Sequence, residues 1–236
     1  MKKGRISAAD LVRDLSGDAA YQRRVAEKDT TSRVTLEQER LLLDELARVG
    51  VRGDSLTSIV AASAPISGQL AEVLVSMLKR EDLNRMHESI VRSLGAAGES
   101  FDSTPLVELF QTTPSDSLRW AIGNTLAELR PLNLGVWLEG AFKNKAYGDA
   151  RQMLALAIGR SLPLNTARRL LIESYDEFPG HVSMALGECG GLDELAFLRS
   201  QLPGASGWVK NEIVRAVTAI ESREAGRGPR RGKPNP

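Results

Sequence analysis

Apolar residues recur along the second half of the chain at helical spacing and in register. Ile90, Leu94 and Ala97 are followed by Ile122, Leu126 and Leu129, then by Leu154, Ile158 and Ser161, by Val182, Leu186 and Cys189, and by Ile213, Val217 and Ile220. Each triplet is spaced i, i+4, i+7, the stripe that lines one face of an α-helix. The first members lie 32, 32, 28 and 31 residues apart. A second series, Leu42, Leu74, Leu106, Leu138 and Leu170, runs upstream of these at intervals of 32. Each unit is therefore predicted to hold a first and a second helix joined by a short turn. Pro114, Pro131, Pro163 and Pro203, the pair Gly190-Gly191, and Gly204 with Gly207 fall between the apolar blocks. Proline lacks an amide donor and fixes φ, so it starts or ends helices. There is no sustained period-two alternation to predict strands. The pattern places helices at about 36–49, 54–63, 67–79, 84–97, 104–112, 116–129, 133–143, 149–161, 165–175, 180–189, 193–202 and 208–222. One such pair cannot bury its stripe alone, whereas stacked pairs share a continuous core.

The second helices resemble those of HEAT-repeat (armadillo-like) proteins, whose pattern is close to V-R-x-x-A-x-x-A-L-G-x-L-G. Leu94-Gly95, Ile158-Gly159 and Leu186-Gly187 match its apolar-glycine pair. Arg119, Arg151 and Lys210 stand three residues before Ile122, Leu154 and Ile213, where the family has a basic residue, and Asp149 precedes Arg151 as an acidic turn residue. His87 and Pro179 replace the basic residue in two units, and the fifth unit is short. The resemblance covers 36–222. It implies an all-α, right-handed solenoid of about six helix pairs, and a binding scaffold more often than an enzyme. Gly95, Gly159 and Gly187 cost helix propensity, so close approach of neighbouring helices is expected there.

The two ends depart from the repeat. In 1–35, Ser7 with Asp10 reads as a capping box, followed by Leu11, Val12 and Leu15; Gly17-Asp18 interrupts, and Tyr21 and Val25 sit among charges. This segment is read as a helical cap, or as an arm that meets a partner or a second copy. The tail, 223–236, carries five positive charges and one negative among Gly and Pro, and is read as disordered.

Composition narrows the function classes. The net charge is +1, so with +4 in the tail the rest is −3, and nucleic-acid contact is expected only weakly, through the tail. One Cys and two His exclude a thiolate zinc cluster and an intrachain disulfide. No stretch has signal-peptide or membrane-span character, so a cytoplasmic protein without a membrane partner is expected. The chain contains no H-E-x-x-H, Walker loop, nucleophile elbow or dinucleotide fingerprint, and no cofactor, metal or catalytic residue is assigned. Gly187-Glu188-Cys189-Gly190-Gly191 reads as a helix stop, Cys189 as a core residue, and His87 and His181 as surface or capping histidines. The adjacent acids Asp44-Glu45 and Asp193-Glu194 read as solvated, and Arg119, Arg151 and Lys210 as partners of backbone or acidic groups.

The leading expectation is a non-enzymatic scaffold or regulator, monomeric or homodimeric, that holds another protein. Among compact bacterial proteins resembling this one are inhibitors and immunity partners of toxins. The alternatives are a HEAT-like DNA-binding protein or alkylpurine DNA glycosylase, for which Asp116 and Trp120 one turn apart are the only local match, and a self-assembling structural protein. On each second helix, positions two before and two after the core residue fall about 160° and 200° from it. In the resembling family that side is concave. The expected protein-binding residues are Glu88, Arg92, Trp120, Asn124, Gln152, Leu156, Met184, Asn211 and Arg215, with Trp120, Leu156 and Met184 forming an exposed apolar strip.

Overall fold

A computed structural model describes residues 18–226, all of its regular structure helical and with no strand among the described residues. The first helix among the described residues, α1 (Ala19–Arg48), is long. Asp18 caps it, its carboxylate accepting from the Ala20 and Tyr21 amides at 2.8 and 3.3 Å. At about 1.5 Å per residue the helix spans about 45 Å. It runs straight through the boundary expected at 35/36, because residues 19–48 contain neither Gly nor Pro. Only its C-terminal half buries side chains, Leu42 and Leu46. The short helix expected around Ser7 lies outside the described residues.

The remaining helices follow the repeat closely: α2 (Leu56–Ser63), α3 (Gly68–Met77), α4 (His87–Leu94), α5 (Thr104–Thr112), α6 (Asp116–Leu129), α7 (Gly135–Lys143), α8 (Leu154–Ser161), α9 (Leu164–Glu173), α10 (Pro179–Cys189), α11 (Leu192–Gln201) and α12 (Gly207–Glu224). Stops are local and readable: Arg130 takes a left-handed φ of 51° just before Pro131 and ends α6. Two second helices are shorter than expected. Tight 3-10 segments, Glu81–Met86 and Lys145–Met153, lead into α4 and α8 in place of regular α-helical turns, the second broken at Gly148 with φ 55°.

All five upstream leucines, Leu42, Leu74, Leu106, Leu138 and Leu170, are buried. So are twelve of the fifteen triplet residues, the exceptions being Ala97, Ser161 and Val217, which are half-buried. The two series pack as the period requires. The second helices α4, α6, α8, α10 and α12 pack on one another in succession, and α3, α5, α7, α9 and α11 each lie against the second helix that follows. Neighbouring first helices approach one another far less closely. One continuous core runs from Leu42 to Ile220.

Glycine assists this packing at some of the expected places. A Cβ at Gly187 would lie 2.9 Å from the Ala216 Cα, so α10 and α12 could not stay so close, and one at Gly159 would lie 3.3 Å from the Ala185 carbonyl. At Gly95 a Cβ would make only ordinary contacts, 3.5 Å to Glu128. Gly123 and Gly180, which the pattern did not single out, are under tighter constraint, against Met153 and Trp208.

The C-terminal boundary also moves. Helix α12 continues to Glu224, and Arg223 donates to the Gly187 and Gly190 carbonyls at 3.1 and 2.6 Å, satisfying the end of α10. Truncation after Gly226 is expected to leave the melting temperature unchanged. Truncation before Arg223 should lower it by about 5 °C, since hydrogen bonds from a charged donor contribute roughly 1.5–3 kcal/mol. Equal melting of the two truncated proteins would refute this role for Arg223.

Candidate binding surface

Two of the three recurring basic residues serve the fold. Arg119 donates from Nε to the Phe110 carbonyl at 3.1 Å and lies over the Tyr147 ring at 5.3 Å. Arg151, 32 residues later, donates from Nη1 to the Phe142 carbonyl at 2.8 Å, lies over Phe178 at 4.8 Å and pairs with Glu177. Each guanidinium thus satisfies the C-terminal end of its own unit's first helix and packs on an aromatic ring farther along the stack. Lys210, in the same register, is exposed. At the other end of the layer Arg160 donates to the Ala127 carbonyl at 3.0 Å and pairs with Glu128 and Glu188, joining α6, α8 and α10.

The candidate site residues divide into three groups. Arg92, Asn211 and Arg215 are exposed, and Glu88, Asn124, Gln152 and Met184 are half-buried, with Met184 packed against the core. Trp120 is 37% exposed. Leu156 is a correction: it is only 9% exposed and belongs to the core, so no continuous strip of Trp120, Leu156 and Met184 lies open. The reason lies two units away. Trp120 of α6 meets His181 of α10 edge-to-face, ring centroids 5.7 Å apart, although α8 lies between these helices in the packing order. Contact across the intervening helix covers the side that a single-helix wheel leaves open.

His181 in turn packs on Trp208 of α12, with centroids 5.1 Å apart. Trp208 is 49% exposed. Its ring rests on Gly180, where a Cβ would overlap it. The two exposed tryptophans therefore flank the buried His181 in a row, Trp120–His181–Trp208, at the N-terminal ends of three second helices. Two of its members were missed by the rule of two positions either side. Trp208 stands five before Ile213, about 220° round the wheel, so the same wheel could have found it. His181, one before Val182, sits on the flank that a neighbouring helix covers.

His181 is buried, not a surface or capping residue, and its Nδ1 has no hydrogen-bond partner. Burial pushes its pKa below the usual histidine value, and the nearby Glu212 carboxylate partly opposes this. The ring is therefore neutral at pH 7. His87 is half-buried, with Nε2 3.0 Å from the Arg80 carbonyl, and it caps no helix with its side chain. Glu45 pairs with Arg48 and Arg80 near the surface. Glu194 departs from a solvated reading: it is buried and accepts the Gly191 amide at 2.8 Å, capping α11. Cys189 is buried at the end of α10, and its thiol is pushed up to about 11 by burial. Asp116 is exposed and pairs with Arg119 at 3.1 Å. Among the described residues no group of three His, Cys, Asp or Glu could hold a metal ion, and no helix is long and apolar enough to cross a membrane. Comparison of the chain with protein-family models, with curated proteins and with solved structures finds no match.

Proposed function

We propose that this chain is a right-handed α-solenoid of HEAT type, about six helix pairs long, and that it acts without catalysis by holding a partner protein against its second-helix layer. Regulation or inhibition of that partner is the concrete form the reading takes. The observation that carries it is the row Trp120–His181–Trp208. Two tryptophans stay partly exposed on one layer, set beside Asn211 and Arg215 of α12 and Asn124 of α6. Exposed aromatic anchors with a polar rim are how protein interfaces concentrate binding energy, and Trp and Arg are the usual hot-spot types.

The test is Trp120→Ala in a pull-down from the source cells, read by mass spectrometry against the parent chain. An edge-to-face aromatic pair contributes about 0.5–1.5 kcal/mol beyond the apolar area it buries, and Trp120 is only partly covered, so the variant should stay folded and melt roughly 5–10 °C below the parent. It is expected to lose the partner, because hot-spot truncation costs roughly 2 kcal/mol or more of binding energy. Full retention by a folded Trp120→Ala protein would remove the row from the interface.

A second reading, self-association, has one observation in its favour. Residues 19–34 of α1 include no fully buried side chain, whereas the C-terminal half of the helix buries Leu42 and Leu46. A molar mass that rises with concentration in light scattering would move the interface there.

A further inference from the structure

We infer that the row Trp120–His181–Trp208, together with Glu212, receives a lysine or arginine side chain of the partner protein. This rests on the partner-binding reading above and supplies its chemistry. Glu212 is the first support. It is buried on α12, yet its ion pair is with Arg215 at 2.6 Å, an arm whose side chain is 75% exposed. Glu194, buried to a similar degree, shows what a fully housed carboxylate looks like here. It accepts the Gly191 amide and lies 3.5 Å from Arg168, which is itself fixed on the Cys189 carbonyl at 2.7 Å. A buried carboxylate needs donors in place of its water; at Glu212 a donor comes from the solvent-facing arm of Arg215, a place that a partner's cation can share or take over.

The remaining groups agree in sign. Trp208 and Glu212 are one helical turn apart, so they share a face of α12. The Trp208 ring touches His181, which feels the Glu212 carboxylate and keeps an unpaired, buried Nδ1. Buried polar atoms in native proteins are almost always paired, so this end of the layer holds unused hydrogen-bonding capacity. Indole faces attract ammonium and guanidinium groups. An acidic side chain would be repelled by Glu212, and an apolar one would leave Glu212 and His181 as they are. Arg215 then acts as the resident counter-ion that an incoming cation displaces or joins.

The experiment uses the full chain and small probes. N-acetyl-arginine amide and N-acetyl-lysine amide are titrated while the three tryptophan indole N–H resonances are followed by NMR, with the norleucine and glutamate amides as neutral and acidic comparisons. The cationic probes should shift Trp120 and Trp208 saturably and leave Trp137, on α7, in place. Glu212→Gln should weaken them about tenfold, as loss of one favourable charge contact does, and Arg215→Ala should tighten them by removing a competitor. Equal shifts by the norleucine amide, preference for the glutamate amide, or no shift at all would overturn the inference. If Glu212→Gln does not fold, Arg215→Ala decides alone: unchanged or weaker binding overturns it. The two readings fail separately. A partner still lost from Trp120→Ala while the cationic probes bind nowhere removes only the cation chemistry, whereas a partner retained by that variant removes the interface.

Discussion

Leu156→Asp is expected to leave the chain largely unfolded at 25 °C, with the helical circular dichroism signal lost. Leu156 is buried in the continuous core. Removing its side chain costs roughly 2–5 kcal/mol. The new carboxylate must either be desolvated without a partner or take up a proton, at a further cost of several kcal/mol. The sum is comparable with the whole stability of a domain, about 5–15 kcal/mol. Trp120→Ala, one unit earlier and on a partly exposed side chain, should differ sharply by keeping the helical signal and a cooperative melt. A folded Leu156→Asp protein would mean that Leu156 faces solvent after all and that the strip read from the wheel exists.

Arg151→Ala is the other large effect. The guanidinium is buried, donates to the Phe142 and Gly148 carbonyls at 2.8 and 3.1 Å, pairs with Glu177 and lies over Phe178. Truncation leaves the Phe142 carbonyl, at the end of α7, without this donor. Glu177 is partly exposed and can turn to water, so the loss is smaller than for a fully enclosed ion pair, roughly 2–4 kcal/mol. At about 2–4 °C per kcal/mol for a chain of this size, the melting temperature should fall by about 10 °C. Arg119→Ala should cost less, because its acidic partner Asp116 is 75% exposed and contributes little. Arg151→Lys should recover only part of the loss, since a lysine cannot bond both carbonyls and stack on the ring at once. A melting temperature within a degree of the parent would show that Arg151 is a passenger.

Much of the fold was legible because it is periodic. The bounds of α5 and α6 coincide with the expected 104–112 and 116–129, and the leucines 32 apart all reach the core. Periodicity reports which face of a helix is buried by its own unit. It says less about where a helix begins: α1 continues upstream through a polar stretch that lacks any breaker, and the 3-10 turn before α4 occupies residues whose composition differs little from that of a regular helix, whereas the one before α8 is marked by Gly148. The site was legible only in part for a related reason. A wheel treats each helix as having one neighbour. In the stack α8 lies between α6 and α10, so Leu156 is covered, and His181 is drawn into contact with tryptophans from two other helices. Trp120 is partly exposed, as its place opposite the core stripe predicts. Trp208 was passed over because it lies five residues from its core residue, outside the window of two.

The most direct measurement of where a partner sits is site-specific photo-crosslinking in the source cells. A photoreactive amino acid is placed singly at Asn124 and Asn211, beside the aromatic row, and at Val136 and Leu164, exposed on the first helices α7 and α9. Binding through the second-helix layer predicts one discrete adduct of the same mass from positions 124 and 211 and none from 136 and 164. Adducts from 136 and 164, or from none of the four positions, would contradict it.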